Sequence, residues 1–232
     1  MPNSQASTPN SQLATAVLLS SGLDSAVLAA SEARDRTVYP IYVSAGLAWE
    51  AEELGAVDRL LAAGPFRTCK PVARLTFTAR DLYPATHWAL RGEPPAFDTP
   101  DEDVYLTGRN VMLLSKAAIY CAQNEITRIA LGPLAGNPFP DATPEFFDAM
   151  ARALSLGLAH EIRIDVPFAG KEKADVIALG VQLGVPLELT LSCLNPKDGL
   201  HCGLCSKCRE RRDAFHEAGV ADPTSYDVTP AR

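Results

Sequence analysis

Short apolar runs alternate along this chain with stretches in which apolar residues return every three or four positions. Ala14-Thr-Ala-Val-Leu-Leu19 predicts a buried strand, and the period that follows predicts a helix from Asp24 to Ala33. The same reading gives strands over Thr37 to Val43, Lys70 to Leu75, Arg128 to Leu131 and Ile162 to Val166. It gives helices over Trp49 to Ala63, Asn110 to Asn124, Pro144 to Leu156 and Lys171 to Leu183. Strands alternating with helices in this order predict a parallel sheet covered by helices on both faces, a Rossmann-like α/β fold. Tyr83 to Pro100 carries four prolines and reads as a variable loop or lid.

Composition narrows the class. The chain has 232 residues, 47% hydrophobic and 21% charged, which suits one globular domain, and no internal boundary or repeat divides it. Residues 1–12 are rich in Ser, Asn, Pro and Gln and lack an apolar core or a basic residue, so they are expected to be a disordered tail and not a targeting signal. No window approaches the roughly 20 apolar residues of a membrane helix, and a cytoplasmic protein is expected. A formal charge of −7 argues against wide contact with nucleic acid. The one basic run, Lys207, Arg209, Arg211 and Arg212, reads as a solvated helix face or a local patch for substrate or partner.

Two motifs carry chemistry. Cys193, Cys202, Cys205 and Cys208 follow the spacing C-x8-C-x2-C-x2-C, which suits a tetrahedral four-thiolate zinc site; a disulfide pair or chance clustering are the alternatives, and nothing else in the chain points to an oxidising compartment. Cys69 and Cys121, in apolar surroundings, read as inert buried thiols. His87, His160, His201 and His216 are scattered, and His201 reads as a neighbour of the cysteines and not a ligand. Trp49 and Trp88 suit core or lid packing, with stacking on a base as the other role. The second motif, Leu19-Ser20-Ser21-Gly22-Leu23-Asp24-Ser25, joins the first strand to the first helix. There, small residues expose backbone amides and the helix N-terminus favours an anion. Ser20 or Ser21 acting only as a helix N-cap is the alternative.

Ser20-Ser-Gly-Leu-Asp-Ser25 resembles the S-G-G-x-D-S signature of the PP-loop ATP pyrophosphatases. The resemblance narrows downstream. Gly108-Arg109-Asn110, then Pro140-Asp141 with Pro144-Glu145-Phe146, then Lys173-Ala174-Asp175 and the four cysteines, which follow a strand read at Pro186 to Thr190, are similar to the 7-cyano-7-deazaguanine synthase family, over roughly residues 13–219. It implies an adenine-nucleotide alpha hydrolase-like fold, residues 13–219 as one domain containing the zinc knuckle at 193–208, and a tail at 220–232. It also implies a ligase that adenylates a carboxylated deazaguanine with ATP and Mg²⁺, takes up ammonia, and converts the amide to a nitrile.

By the same resemblance, nucleotide binding falls to Leu19 through Ser25, Gly108, Arg109, Asn110 and Lys173. Asp24, Lys173 and Arg109 become the reacting-site candidates. Asp24 either caps the helix or binds Mg²⁺, Lys173 either reaches phosphate or is solvated, and Asp175 is a first-turn carboxylate. A homodimer is implied too. Three segments depart from the family pattern: Ser21 replaces a glycine, Leu134–Ala142 is poorer in polar groups, and Ser44–Leu47 stands where Asp-Tyr-Gly-Gln is usual. They leave open a different acceptor, such as another carboxylated heterocycle or a protein amine, or a zinc- and nucleotide-binding scaffold without turnover. A tRNA-modifying PP-loop enzyme is disfavoured by the acidic balance.

Overall fold

A computed structural model describes residues 13–229; the segment read as a disordered tail, 1–12, lies outside the described residues. Five parallel strands form one sheet in the order β3-β2-β1-β4-β5. They are β1 (Ala14–Leu18), β2 (Thr37–Ser44), β3 (Ala73–Thr76), β4 (Arg128–Ala130) and β5 (Arg163–Asp165). Helices α1 (Leu23–Glu32), α2 (Glu50–Leu61), α3 (Trp88–Arg91), α4 (Arg109–Gln123), α5 (Pro144–Leu158), α6 (Lys173–Gln182) and α7 (Ser206–Glu217) connect or follow them. None is long and apolar enough to cross a membrane among the described residues.

Strand alternation sorts the core. Val17, Val38, Tyr42 and Ala130 point to the face covered by α1, α6 and α7, while Ala16, Ile41 and Ile129 point to the face covered by α4 and α5. The α1–α6 contact is tight because Gly180 has no side chain: a Cβ there would stand 2.8 Å from Val27 Cγ2. Beneath the sheet, the Arg128 guanidinium bonds Glu32, Asp165 at 2.5 Å and the Thr15 hydroxyl at 2.8 Å, tying β1, α1, β4 and β5 together.

The chain winds from β1 towards β3 on one side and towards β5 on the other, so a crevice opens at the carboxyl ends of β1 and β4.

Three expectations change. The stretch from Pro186 to Thr190 is not a strand: Leu187–Leu189 forms a single 3₁₀ turn. The Pro-rich segment is anchored and not a free lid, because Trp88 stacks on Trp49 at 5.7 Å, Ala96 bridges to Cys205, and Arg209 donates to the carbonyls of Phe97 and Thr99. The stretch read as a tail from 220 is held against the knuckle as far as it is described. Asp227 N donates to the His201 carbonyl at 2.8 Å, and the Tyr226 hydroxyl donates to Asp222 at 2.7 Å.

Candidate nucleotide cleft and cysteine centre

The turn after β1 is small because its residues bond one another. The Ser25 hydroxyl accepts from the Ser20 amide at 3.3 Å and donates to the Gly22 carbonyl at 2.9 Å. Gly22 is the N-cap of α1 and no side chain caps the helix, so neither Ser20 nor Ser21 is a simple cap. The first-turn amides of α1 therefore keep their donors for a ligand. Ser21 adopts φ +64°, the left-handed region where glycine is at ease, and its buried Oγ has no hydrogen-bond partner among the described residues. Its carbonyl accepts from the Leu191 amide at 2.9 Å.

This turn opens on a cleft of about 280 Å³, floored by the ends of β1 and β2 and by Leu131 and Gly132 after β4. Leu19 to Ser25, with the exception of Ser21 and Leu23, line it, as do Arg109 and Asn110 at the head of α4. Gly108, at φ +75°, lets the chain turn sharply into that helix. Asn110 is partly committed elsewhere, since its side-chain amide donates to the Asp141 carbonyl at 2.8 Å and its backbone amide to the Asp141 carboxylate at 3.0 Å. Arg109 makes no ion pair or side-chain hydrogen bond among the described residues.

A second chamber adjoins the first, sharing Asp24, Gly132 and Phe139 with it. Here Lys173 is not a solvated helix lysine: its ammonium lies 3.0 Å from Asp24 Oδ2 and contacts Glu210 of α7. Burial works against the ammonium, but Asp24 and Glu210 outweigh it and raise its pKa. Burial likewise works against the Glu210 carboxylate, yet Lys173 and Lys207 hold its pKa down at about 2. Asp24 does not cap α1, and its Oδ1 is buried without a partner among the described residues. Asp175 closes a capping box with Glu172 at the start of α6.

Sequence reasoning missed Glu53, a carboxylate only 8% exposed that lines the first cleft. The Tyr42 hydroxyl donates to it at 3.1 Å. Burial pushes its pKa up to about 7, while Arg109 and Tyr42 pull the other way. It hid within the acidic stretch Glu50 to Glu53, yet helical spacing puts it on the stripe of buried Ala56, Val57 and Leu60. Glu50 instead braces the turn after β2, accepting from the Ser44 hydroxyl and the Ala45 amide, both at 2.6 Å, and from the Gly46 amide at 3.0 Å.

The four knuckle cysteines are buried, free of disulfides, and present sulfurs all within 4.8 Å of one another. Sulfur separations of 4.0, 3.9 and 3.5 Å bracket the ~3.8 Å edge of a tetrahedron with Zn–S near 2.3 Å. Backbone amides of Asn195 and Cys202 point at Cys193 Sγ, at 3.3 and 3.2 Å, and that of Leu204 at Cys202 Sγ, at 3.4 Å, as a thiolate site requires. The cluster thus fits a metal ion. His201 is outside it, its Nε2 accepting from the Ser192 amide at 3.1 Å.

The basic run beside the cysteines is not a solvated face. Arg211 is 2% exposed and donates to the Leu187 carbonyl and to the hydroxyls of Thr190, Ser192 and Thr224. Elsewhere, His87 caps α3, His160 meets the Ile126 carbonyl, and burial pushes the Cys69 and Cys121 thiols up to about 11 and about 12.

Residues 14–219 match the protein-family model described as queuosine biosynthesis protein QueC. The 7-cyano-7-deazaguanine synthase of Methanopyrus kandleri is 36% identical over 229 residues, covering 91% of this chain and 98% of that protein. The 7-cyano-7-deazaguanine synthase of Anaeromyxobacter dehalogenans is 34% identical over 221 residues, covering 90% and 94%. A solved structure described as a predicted subunit of tRNA methyltransferase from Methanocaldococcus jannaschii is 13% identical, with a TM-score of 0.48 over 92% of each chain.

Proposed function

Given that the chain belongs to the queuosine biosynthesis protein QueC family, we propose that it is an ATP-dependent synthase converting 7-carboxy-7-deazaguanine through its amide to 7-cyano-7-deazaguanine. The observation that carries this reading is the Ser20–Ser25 turn at the head of α1, opening on a cleft lined also by Arg109, with Lys173 in the chamber beside it. A carboxylate is a poor electrophile, and the chemistry corrects this by adenylation. The carboxylate oxygen attacks the α-phosphorus of ATP and pyrophosphate leaves. Ammonia then adds to the acyl carbon, AMP departs, and a proton is lost to give the amide. The amide oxygen attacks the α-phosphorus of a second ATP, pyrophosphate leaves, and loss of AMP and two protons gives the nitrile.

The residues divide this work by charge. The first-turn amides of α1 and the Ser20 hydroxyl hold the departing pyrophosphate, where developing charge is greatest, while Ser25 keeps the turn in shape through its bonds to Ser20 and Gly22. Lys173 exchanges one carboxylate partner for a phosphate oxygen, so its ammonium still faces negative charge on two sides. Arg109, with no ion pair among the described residues, holds the acceptor carboxylate. The unpartnered Asp24 Oδ1 fits a Mg²⁺ ligand, directly or through water, and that ion when bound screens the phosphate charges. The four thiolates fit structural zinc. Residues 13–219 act as one domain, and homodimerisation follows from the family resemblance alone.

One assay tests the reading: AMP and pyrophosphate release from ATP, with and without the carboxylated deazaguanine and ammonium. Acceptor-dependent release with nitrile as product is expected. ATP binding without release for this acceptor, but with release for another carboxylated heterocycle or an amine, would replace the substrate. Release with none would leave a nucleotide-binding scaffold.

A further inference from the structure

We propose that Glu53 is the specificity-determining residue for the acceptor base, accepting the paired N–H donors on the pyrimidine edge of a 2-amino-4-oxo, guanine-type heterocycle. This rests on the substrate class proposed above. Two carboxylates line the first cleft, Asp24 and Glu53, and Asp24 is committed to Lys173. The turn after β2 offers little to a base, because its Ser44 hydroxyl and its Ala45 and Gly46 amides all serve Glu50, and Ala45 and Leu47 are buried in an apolar cluster. Glu53 therefore remains as the fixed acceptor in the cleft, its orientation held by Tyr42.

Charge complementarity supports the match. Arg109 is the one cation lining this cleft among the described residues, and Glu53 shares the cleft with it. The acceptor carries a carboxylate on its five-membered ring and, on the far edge of the six-membered ring, an N–H and an amino group side by side. In its ionised form the Glu53 carboxylate only accepts and pairs with two such donors, whereas the matching edge of adenine offers one donor and one acceptor. Burial keeps water from competing for Glu53 and makes an unmet partner costly, so a ligand lacking the second donor is rejected.

The test compares wild type with Glu53→Gln on 7-carboxy-7-deazaguanine and on its analogue lacking the 2-amino group, reading acceptor-dependent pyrophosphate release. Wild type is expected to lose about 10- to 100-fold in kcat/KM on the analogue. In Glu53→Gln the KM for the guanine-type acceptor should rise by a similar factor and discrimination should collapse, with ATP affinity by calorimetry unchanged. Unaltered discrimination in Glu53→Gln, or a loss confined to ATP affinity, overturns the proposal while the substrate assignment stands. A wild type inert towards the deazaguanine overturns the substrate assignment and this proposal together. Should Glu53→Gln fail to melt cooperatively, Glu53→Asp retains the charge on a shorter arm, and the same KM rise with ATP binding intact is required of it.

Discussion

The Leu191 amide donates a 2.9 Å hydrogen bond to the carbonyl of Ser21. Ser21 lies in the turn between β1 and α1, and Leu191 packs in the apolar cluster that includes the four cysteines. Two segments some 170 residues apart in sequence therefore share one backbone contact. The cysteine centre thus backs the turn at the head of α1.

Disrupting the knuckle should then weaken nucleotide binding as well as the fold. Cys205→Ser, or treatment with a strong chelator, is expected to release about one zinc per chain and lower Tm by roughly 10 °C or more. ATP affinity should fall in parallel. Full zinc retention and an unchanged Tm in Cys205→Ser would count against a structural zinc site.

Ser21→Gly should stabilise the protein. The left-handed backbone costs a non-glycine residue about 1–2 kcal/mol, and the buried hydroxyl has no partner. Against this, glycine gains about 0.4–1 kcal/mol of freedom in the unfolded chain. A net gain near 1 kcal/mol in urea unfolding is expected, with pyrophosphate release retained. A loss of stability would show that the hydroxyl is used.

Lys173→Ala removes the cation between Asp24 and Glu210, and pyrophosphate release should drop about 10²- to 10³-fold. Turnover at the wild-type rate would remove Lys173 from the chemistry. A pH signature accompanies the cluster. The Glu210 pKa is lowered on folding from 4.5 to about 2, so its contribution is complete above about pH 5 and is lost as pH falls towards 2. Glu210→Gln should therefore show a shallower acid-side loss of stability than wild type in urea titrations across that window.

Gly180→Ala tests the α1–α6 contact. The added methyl would lie 2.8 Å from Val27 Cγ2 and 3.1 Å from Leu187 Cδ2. Overpacking costs about 1–3 kcal/mol, offset by the ~1 kcal/mol by which alanine favours a helix. A net destabilisation of about 1 kcal/mol in denaturant unfolding is expected; a stabilised variant would mean that the two helices separate easily.

The strands and helices were legible where apolar runs and periods were uninterrupted, as at β1, α1 and α4. The cysteine spacing placed four sulfurs together because its gaps are short. Pro186 to Thr190 misled because Leu187 and Leu189 alternate like strand residues, whereas the Leu187 carbonyl serves the buried Arg211. Arg211 itself looked like one charge in a basic run. Its spacing with Cys208, Ala214 and Phe215 marks a buried helix stripe, a signal that charge obscured. Glu53 hid in the same way. Lys173 was found through the resemblance, but its partner Glu210 lies 37 residues away, and sequence spacing cannot show that pairing.

The pairing of Lys173 with Glu210 also bears on synthesis. A chain emerging amino-end first presents the Ser20–Ser25 turn early, yet α7, which carries Glu210 and closes the knuckle, emerges only after all five strands. A nascent polypeptide stalled before residue 206 would contain the whole sheet and still lack one wall of the Lys173 chamber. Such a chain would also lack Ala214 and Phe215, which help cover one face of the sheet, so the chamber wall and that side of the core are completed together, only once α7 has been made.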